Sequence, residues 1–452
     1  MRPKFKVSWT MILAAGLFVL TRVYILFVFE PKISDVGAVY FVDTVKAHDD
    51  HLVPYQENLP IVYPPLAWWV IYAPRLFDSH PLTDPSDLRQ LKLVRDSYLL
   101  GFRSEMFVCD VLSLLLLWLI VKKQSPGLVG WAALTYTITT AVFGHLLYDR
   151  LDIGLTLLFL LWAFCWIKSL ANESRSIGWA AVAYGLLGLG ISYKLIPVIV
   201  IPFLLLADWH ASRRAVRLLS GTIALSAAAI FPFLIQYLIS DPAVFDLFKF
   251  HSERGIQIES LYSTFMMFGS LAGWEVFVLN THGAFNLAGD LSKLMITLSN
   301  VLLLLFLASI WFWLFFRPSE LQRSNGYRAV CFTVVGSVIL SKVLSPQYFI
   351  WALPMSLLLA AELFPPSRTK PWILTVLWVL VAVLSTWLFP YHYFSKPDAP
   401  GLVSSNPLEA KTLYLLPCIV LAVRNLIYLA MVVWLGVALF RIRAEPTSQH
   451  NS

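Results

Sequence analysis

Of the 452 residues, 58% are apolar and only 13% are Asp, Glu, Lys or Arg, with a formal net charge of +7. A soluble domain carries about 25% charged residues, so too few are present to coat a water-facing surface; apolar runs of about 20 residues, enough to cross a bilayer as helices, recur along the whole chain. Continuous Leu-rich runs exclude a membrane β-barrel, whose strands alternate, and positive charge in short clusters between apolar runs, never in a basic block interleaved with aromatics, excludes a nucleic-acid binder.

Arg2, Lys4 and Lys6 precede a first apolar run at about residues 7–29. The excess of cations holds that end in the cytoplasm. The run is long for a signal peptide and no small-residue cleavage site follows it, so it reads as an uncleaved helix. Next comes an outer segment, residues 30–102. It opens with Asp35 in the polar stretch ISDVGAVYFVDTVKAHDDHLVPYQENLPIVY, which ends at Tyr63. A carboxylate kept at the mouth of a membrane bundle is costly and marks a candidate functional residue.

The run PPLAWWVIYAP, residues 64–74, is apolar but short, bounded by prolines and carrying Trp68 and Trp69. A helix lying in the interface suits it better than a crossing. Within the same segment, His48-Asp49-Asp50-His51 offers imidazole and carboxylate ligands. Its spacing matches no metal motif, so a solvated loop is the favoured reading, with a weak divalent-cation site as the alternative.

Arg103, Glu105 and Asp110 open the second span. Basic clusters at Lys122-Lys123, Lys168 with Arg175, Arg213 to Arg217, Arg317 to Arg328, Arg368 with Lys370, and Arg441 with Arg443 then recur between apolar runs. Placing each inside predicts about twelve transmembrane helices with both termini cytoplasmic. The long loops, 30–102, 241–290 and 391–411, then share the outer face. One membrane domain, residues 1–443, and a disordered cytoplasmic tail, 444–452, follow. The four cysteines form no CxxC pair and read as small buried hydrophobes.

Ionisable residues collect at the outer helix ends: Asp149, Arg150 and Asp152 in YDRLD, Lys194 in YKLIP, His251, Arg254 and Glu259 in HSERGIQIESLY, and Lys342, Gln347 and Tyr348 in KVLSPQYFIWALP. Singly, each could snorkel or pair within a loop. Together, several cations on one face suit a phosphorylated ligand.

In this order, from about Asp35 to Pro354, the motifs resemble the GT-C superfamily of integral-membrane glycosyltransferases, specifically glycosyltransferase family 87, which includes polyprenol-phosphate-mannose-dependent mannosyltransferases. The resemblance implies an all-α GT-C membrane fold. It also implies an inverting, metal-independent transfer of one sugar, with mannose the commonest, from a polyprenyl phosphate to a lipid or glycan acceptor. The first-loop aspartate, here Asp35, is then the expected general base, with Asp49 and Asp50 as competitors. Arg254, Lys342, His251, Lys194 and Arg150 are the expected donor-phosphate residues. Tyr63, Asp149, Asp152, Glu259, Gln347 and Tyr348 are the expected acceptor or pocket residues. A monomer in a bacterial inner membrane, working on the periplasmic side, is the expected setting. A transporter or lipid-linked-sugar flippase is the alternative class, and it would show repeats and midplane charges; neither is visible.

Overall fold

The computed structural model describes residues 8–31, 34–77, 87–171, 176–209, 214–317, 322–364, 369–393 and 415–441. The expected third outer loop, apart from residues 391–393, and the expected tail lie outside them, as do Arg2, Lys4 and Lys6. Among the described residues seventeen α-helices follow one another: α1 (Trp9–Phe27), α2 (Phe41–His48), α3 (Pro65–Leu76), α4 (Leu88–Gln124), α5 (Val129–Val142), α6 (Gly144–Leu147), α7 (Asp152–Ala171), α8 (Ser176–Tyr193), α9 (Ile201–Trp209), α10 (Arg214–Ser240), α11 (Asp246–Ser252), α12 (Leu261–Leu271), α13 (Ser292–Phe315), α14 (Gln322–Leu340), α15 (Tyr348–Leu363), α16 (Thr369–Thr386) and α17 (Leu415–Phe440). Helices suit a lipid-embedded chain because each satisfies its own backbone donors and acceptors.

Eight helical stretches among the described residues are long and apolar enough to cross a membrane. α5, α9, α14 and α15 fall short in length or hydropathy and pack within the same bundle. The expected number of about twelve is therefore reached only if all four of these also cross. At the centre stands α15, where residues 349–361 are all buried. A helix apolar on every side belongs inside a bundle. By contrast, α1 and α13 keep most of their apolar surface outward, as lipid-facing helices do.

Two segments depart from a plain bundle and both shape the outer face. At about 1.5 Å per residue, the 37 residues of α4 run about 55 Å, well beyond a hydrocarbon core of about 30 Å. Its first turns therefore belong to what the sequence reads as an outer loop. Asp87 starts it, accepting from the backbone N–H groups of Arg89 (2.9 Å) and Gln90 (3.4 Å). The interfacial run forms the 12-residue α3, which packs on α8, α4 and α10.

The second departure is a small antiparallel sheet in the second outer loop: β1 (Ile256–Gln257), β2 (Val276–Thr281) and β3 (Ala284–Gly289), in the order β1-β3-β2. An all-helical expectation misses it. His282 and Gly283, both at positive φ, make the two-residue turn that joins β2 to β3. Ile256, Ile258, Val276 and Leu287 bury one face of the sheet against Tyr262 and Leu421.

Several loop cations do not simply face water. Arg217 bonds Asp208 at 2.5 Å and the Ser176 and Ser169 hydroxyls. Arg328 and Gln124 share Glu362 at 2.7 and 2.9 Å. These bonds tie neighbouring helix ends together. Cys165, Cys331 and Cys418 are buried, Cys109 is half-buried, and all four are free thiols.

Candidate active site

The site is organised by one turn, residues 148–152, between α6 and α7. Each polar side chain on it has a different partner. The Tyr148 hydroxyl donates to Asp110 (2.7 Å), as does Tyr136 (2.7 Å), and Arg22 from α1 closes the buried group at 2.8 Å. Removing either partner of such a pair would strand a buried charge, so the turn is held firmly from below. Asp149 accepts from Arg103 at 2.9 Å. Arg150 pairs with Asp35. Asp152 accepts from Lys194 (2.5 Å) and from the Trp351 indole N–H (2.9 Å). The tight turn thus aims Arg150 at the first outer loop and Asp152 at the bundle interior.

Asp35 sits where the chain enters a π-helical turn, residues 36–40, in which the Gly37 N–H donates to Ser34 Oγ at 3.2 Å. Single π-turns within helical stretches recur at functional sites. The Asp35 side chain remains 24% exposed, so a hydroxyl can still reach it. The same turn ends on Tyr40, whose hydroxyl meets that of Tyr63 at 3.1 Å. Tyr55 donates to the Tyr63 carbonyl at 2.8 Å and fixes that strand of loop. Burial pushes the Tyr63 phenol up to about 12, against the opposing effect of its bond to Tyr40. Tyr63 is therefore a neutral hydrogen-bonding group at physiological pH.

The remaining cations gather around this wall. Tyr63 lies within electrostatic reach of Arg254, Asp152 and Tyr348. The ammonium of Lys194 sits 4.8 Å above the Tyr348 ring. His251 donates through Nε2 to the Val62 carbonyl (3.2 Å), which docks α11 on the first loop. Lys342 reaches the Ser252 carbonyl at 3.4 Å, and its own carbonyl accepts from Gln257 N–H at 3.0 Å. Gln347 accepts from Ser345 at 2.7 Å at the start of α15. Direct contacts thus link Asp35 to Arg150, Asp152 to Lys194 and Lys194 to Tyr348, with Tyr63 in electrostatic reach of Asp152, Tyr348 and Arg254, and with His251 and Lys342 bonded to the neighbouring loops.

Other expected residues stand elsewhere or are already engaged. Glu259 is buried against Arg424 of α17 (2.5 Å), whose neighbour Asn425 donates to the Glu259 carbonyl at 3.3 Å. That arrangement braces the second outer loop on the last helix. Asp49 accepts twice from Arg75, at 2.7 and 2.9 Å, and His48 meets Tyr72 at 3.0 Å. Among the described residues no three His, Cys, Asp or Glu are grouped to hold a metal ion.

Sequence reasoning passed over Arg22, Arg424, Tyr40 and Trp351. The two arginines had a usable signal, a lone cation inside an apolar helix. Tyr40 and Trp351 had none, since aromatics at helical spacing read as core.

A family model described as glycosyltransferase family 87 matches residues 62–346. That range holds Tyr63, Arg150, Lys194, His251, Arg254 and Lys342, and begins after Asp35. No curated protein matches the chain. Among solved structures, ArnT from Cupriavidus metallidurans aligns over 95% of this chain and 76% of its own. Its form bound to undecaprenyl phosphate is 13% identical and its apo form 14% identical, each with a TM-score of 0.49.

Proposed function

This chain belongs to glycosyltransferase family 87, and we propose that it transfers one sugar, with mannose the first candidate, from a polyprenyl phosphate to a lipid or glycan acceptor. The observation that carries the reading is the junction of Asp35 with Arg150, two residues before the Asp152–Lys194 pair. It brings a carboxylate that can take a proton next to cations that can hold a phosphate.

In the proposed reaction the acceptor hydroxyl attacks the anomeric carbon from the face opposite the phosphate. Its proton passes to the Asp35 carboxylate as the new C–O bond forms. The bond from the anomeric carbon to the phosphate oxygen breaks, and polyprenyl phosphate leaves with the electron pair. One displacement inverts the anomeric configuration. Phosphate is a good leaving group and needs charge stabilisation more than protonation. Arg254, Lys342, Lys194 and Arg150 are assigned that work, and His251, whose Nε2–H is spent on the Val62 carbonyl, docks α11 on the first loop beside them. Arg150 holds Asp35 in the free protein, so donor phosphate competes with the carboxylate for it, and binding of the donor frees the base. Tyr63, Tyr348 and Gln347 are assigned to the walls of the pocket. Asp149 and Asp152, each held by a cation, position those walls, while Glu259, held by Arg424, braces the second outer loop. The reaction is set on the periplasmic side of a bacterial inner membrane, with the protein as a monomer.

The test is transfer by the purified protein in detergent. Labelled polyprenyl-phosphate sugars should yield a glycosylated acceptor of opposite anomeric configuration. Transfer from nucleotide sugars alone would overturn the proposal.

A further inference from the structure

Among the described residues, four buried side-chain atoms without a hydrogen-bond partner belong to the second outer loop: Arg254 Nε, Gln257 Oε1, His282 Nδ1 and Asn286 Oδ1. Orphaned acceptors of this kind are uncommon, because each forfeits its hydration without return. Gln257 and Asn286 are only 6% and 3% exposed. They are direct partners across β1 and β3, so their side chains leave the same face of the sheet. Alternation along the strands sets that face opposite to Ile256, Ile258 and Leu287, which enter the apolar cluster. Asn286 spends its amide N–H groups on Thr281 and Ala284 in the hairpin, which leaves its carbonyl oxygen as the free acceptor.

The surroundings join this face to the cation surface. His282 stacks edge-on against Phe250, with 5.1 Å between ring centres, and its Nε2 lies 3.8 Å from Glu253. The neighbouring His251 docks on Val62, and the Gln257 N–H bonds Lys342. Two amide carbonyls, a guanidinium N–H and an imidazole nitrogen form a set of mixed donors and acceptors. Neighbouring ring hydroxyls, each both donor and acceptor, match such a set; a phosphate, which only accepts at neutral pH, would face two carbonyl oxygens.

We infer that the β1–β3 face, through Gln257 and Asn286, is a subsite that reads the hydroxyls of a hexosyl ring and so sets sugar selectivity. The inference rests on the chain being a polyprenyl-phosphate sugar transferase. Its occupant is the sugar of the donor or a sugar on the acceptor, and the assay separates the two.

Gln257→Met keeps the side-chain length and removes the orphaned oxygen. In the full-length protein, kcat/KM is measured for polyprenyl-phosphate mannose, glucose and galactose with one acceptor, then for epimeric acceptors with one donor. The ratio between the preferred sugar and its epimers should fall about tenfold in one of the two series, which names the sugar being read. The thermal midpoint should hold or rise, since no bond within the protein is lost. Uniform loss across both series with unchanged ratios overturns the subsite. So does a variant that fails to fold, because it would show that the oxygen has a structural partner. A wild-type protein that uses none of these donors would instead refute the transferase reading, and is recognised by its failure before any substitution is made.

Discussion

Lys194→Met should be more damaging than removing both members of the pair to which Lys194 belongs. Asp152 is 2% exposed and Lys194 23%, with 2.5 Å between Nζ and Oδ1. Breaking a buried pair from one side costs about 3–5 kcal/mol, since the remaining charge stays buried. Lys194 reaches water in part, which puts the expected cost near the lower end, ~3 kcal/mol. The Trp351 N–H still bonds Asp152 at 2.9 Å but cannot neutralise it. Adding Asp152→Asn removes the stranded charge and keeps an acceptor for Trp351, so the double variant should lose only ~1–2 kcal/mol. Asp152→Asn should thus recover about 1–2 kcal/mol in the Lys194→Met background. Thermal midpoints followed by tryptophan fluorescence in detergent should rank wild type above the double variant and the double variant above Lys194→Met. If the double variant melts below Lys194→Met, the two residues act independently and the buried-pair argument is wrong.

Three further outcomes can be measured on the same preparation. Burial raises the Asp43 carboxyl from 3.8 to about 6 in the first outer loop, against the opposing effect of Lys46. With a folded pKa above the unfolded one, its contribution is fully present below pH 4 and is lost as pH rises to 6. Asp43→Asn should therefore gain up to about 2–3 kcal/mol over wild type at pH 7, less for its partial exposure, and nothing near pH 4; an equal gain at both pH values would refute this. Arg424→Met should destabilise the protein by about 3–5 kcal/mol by stranding Glu259 beneath the second outer loop, and Glu259→Gln in the same chain should restore part of it, both read as thermal midpoints. Arg254→Ala should raise the KM for donor by about 10–100-fold, the loss of one charge-assisted hydrogen bond, with the larger effect on binding than on kcat; unchanged donor affinity would move the phosphate site elsewhere.

How much of this was legible in the sequence depends on the range of the interaction. Apolar run length carries the helical membrane bundle, because crossing a bilayer is a local requirement on each segment. The short Trp-bearing run 64–74 reads as α3 for the same reason. The sheet is missed although its turn is local: VFVLNTHGAFNLAG alternates around His282-Gly283, yet its apolar strands merge into a background of apolar helices. The charged residues that the structure pairs, such as Asp35, Arg150, Asp152 and Lys194, stand out in the sequence because charges in a membrane chain are few. Their pairing does not. Arg22 with Asp110, Asp152 with Lys194, and Glu259 with Arg424 lie 88, 42 and 165 residues apart, and only the packing of whole helices selects these partners. That packing also separates Glu259, which braces the fold, from Lys194 and Arg150, which share a surface with Asp35.

The central claim is that Asp35 takes the acceptor proton on a surface whose cations hold the donor phosphate. Its most direct test is single-turnover sugar transfer by Asp35→Asn, with donor affinity and thermal midpoint measured on the same sample. A positioned base contributes about 10²–10⁴-fold. Transfer should fall by that factor in a protein that still folds, while donor affinity stays at or above wild type, because Arg150 no longer pairs with a carboxylate that competes with the phosphate. A folded Asp35→Asn protein that binds donor and transfers sugar at the wild-type rate would contradict the account.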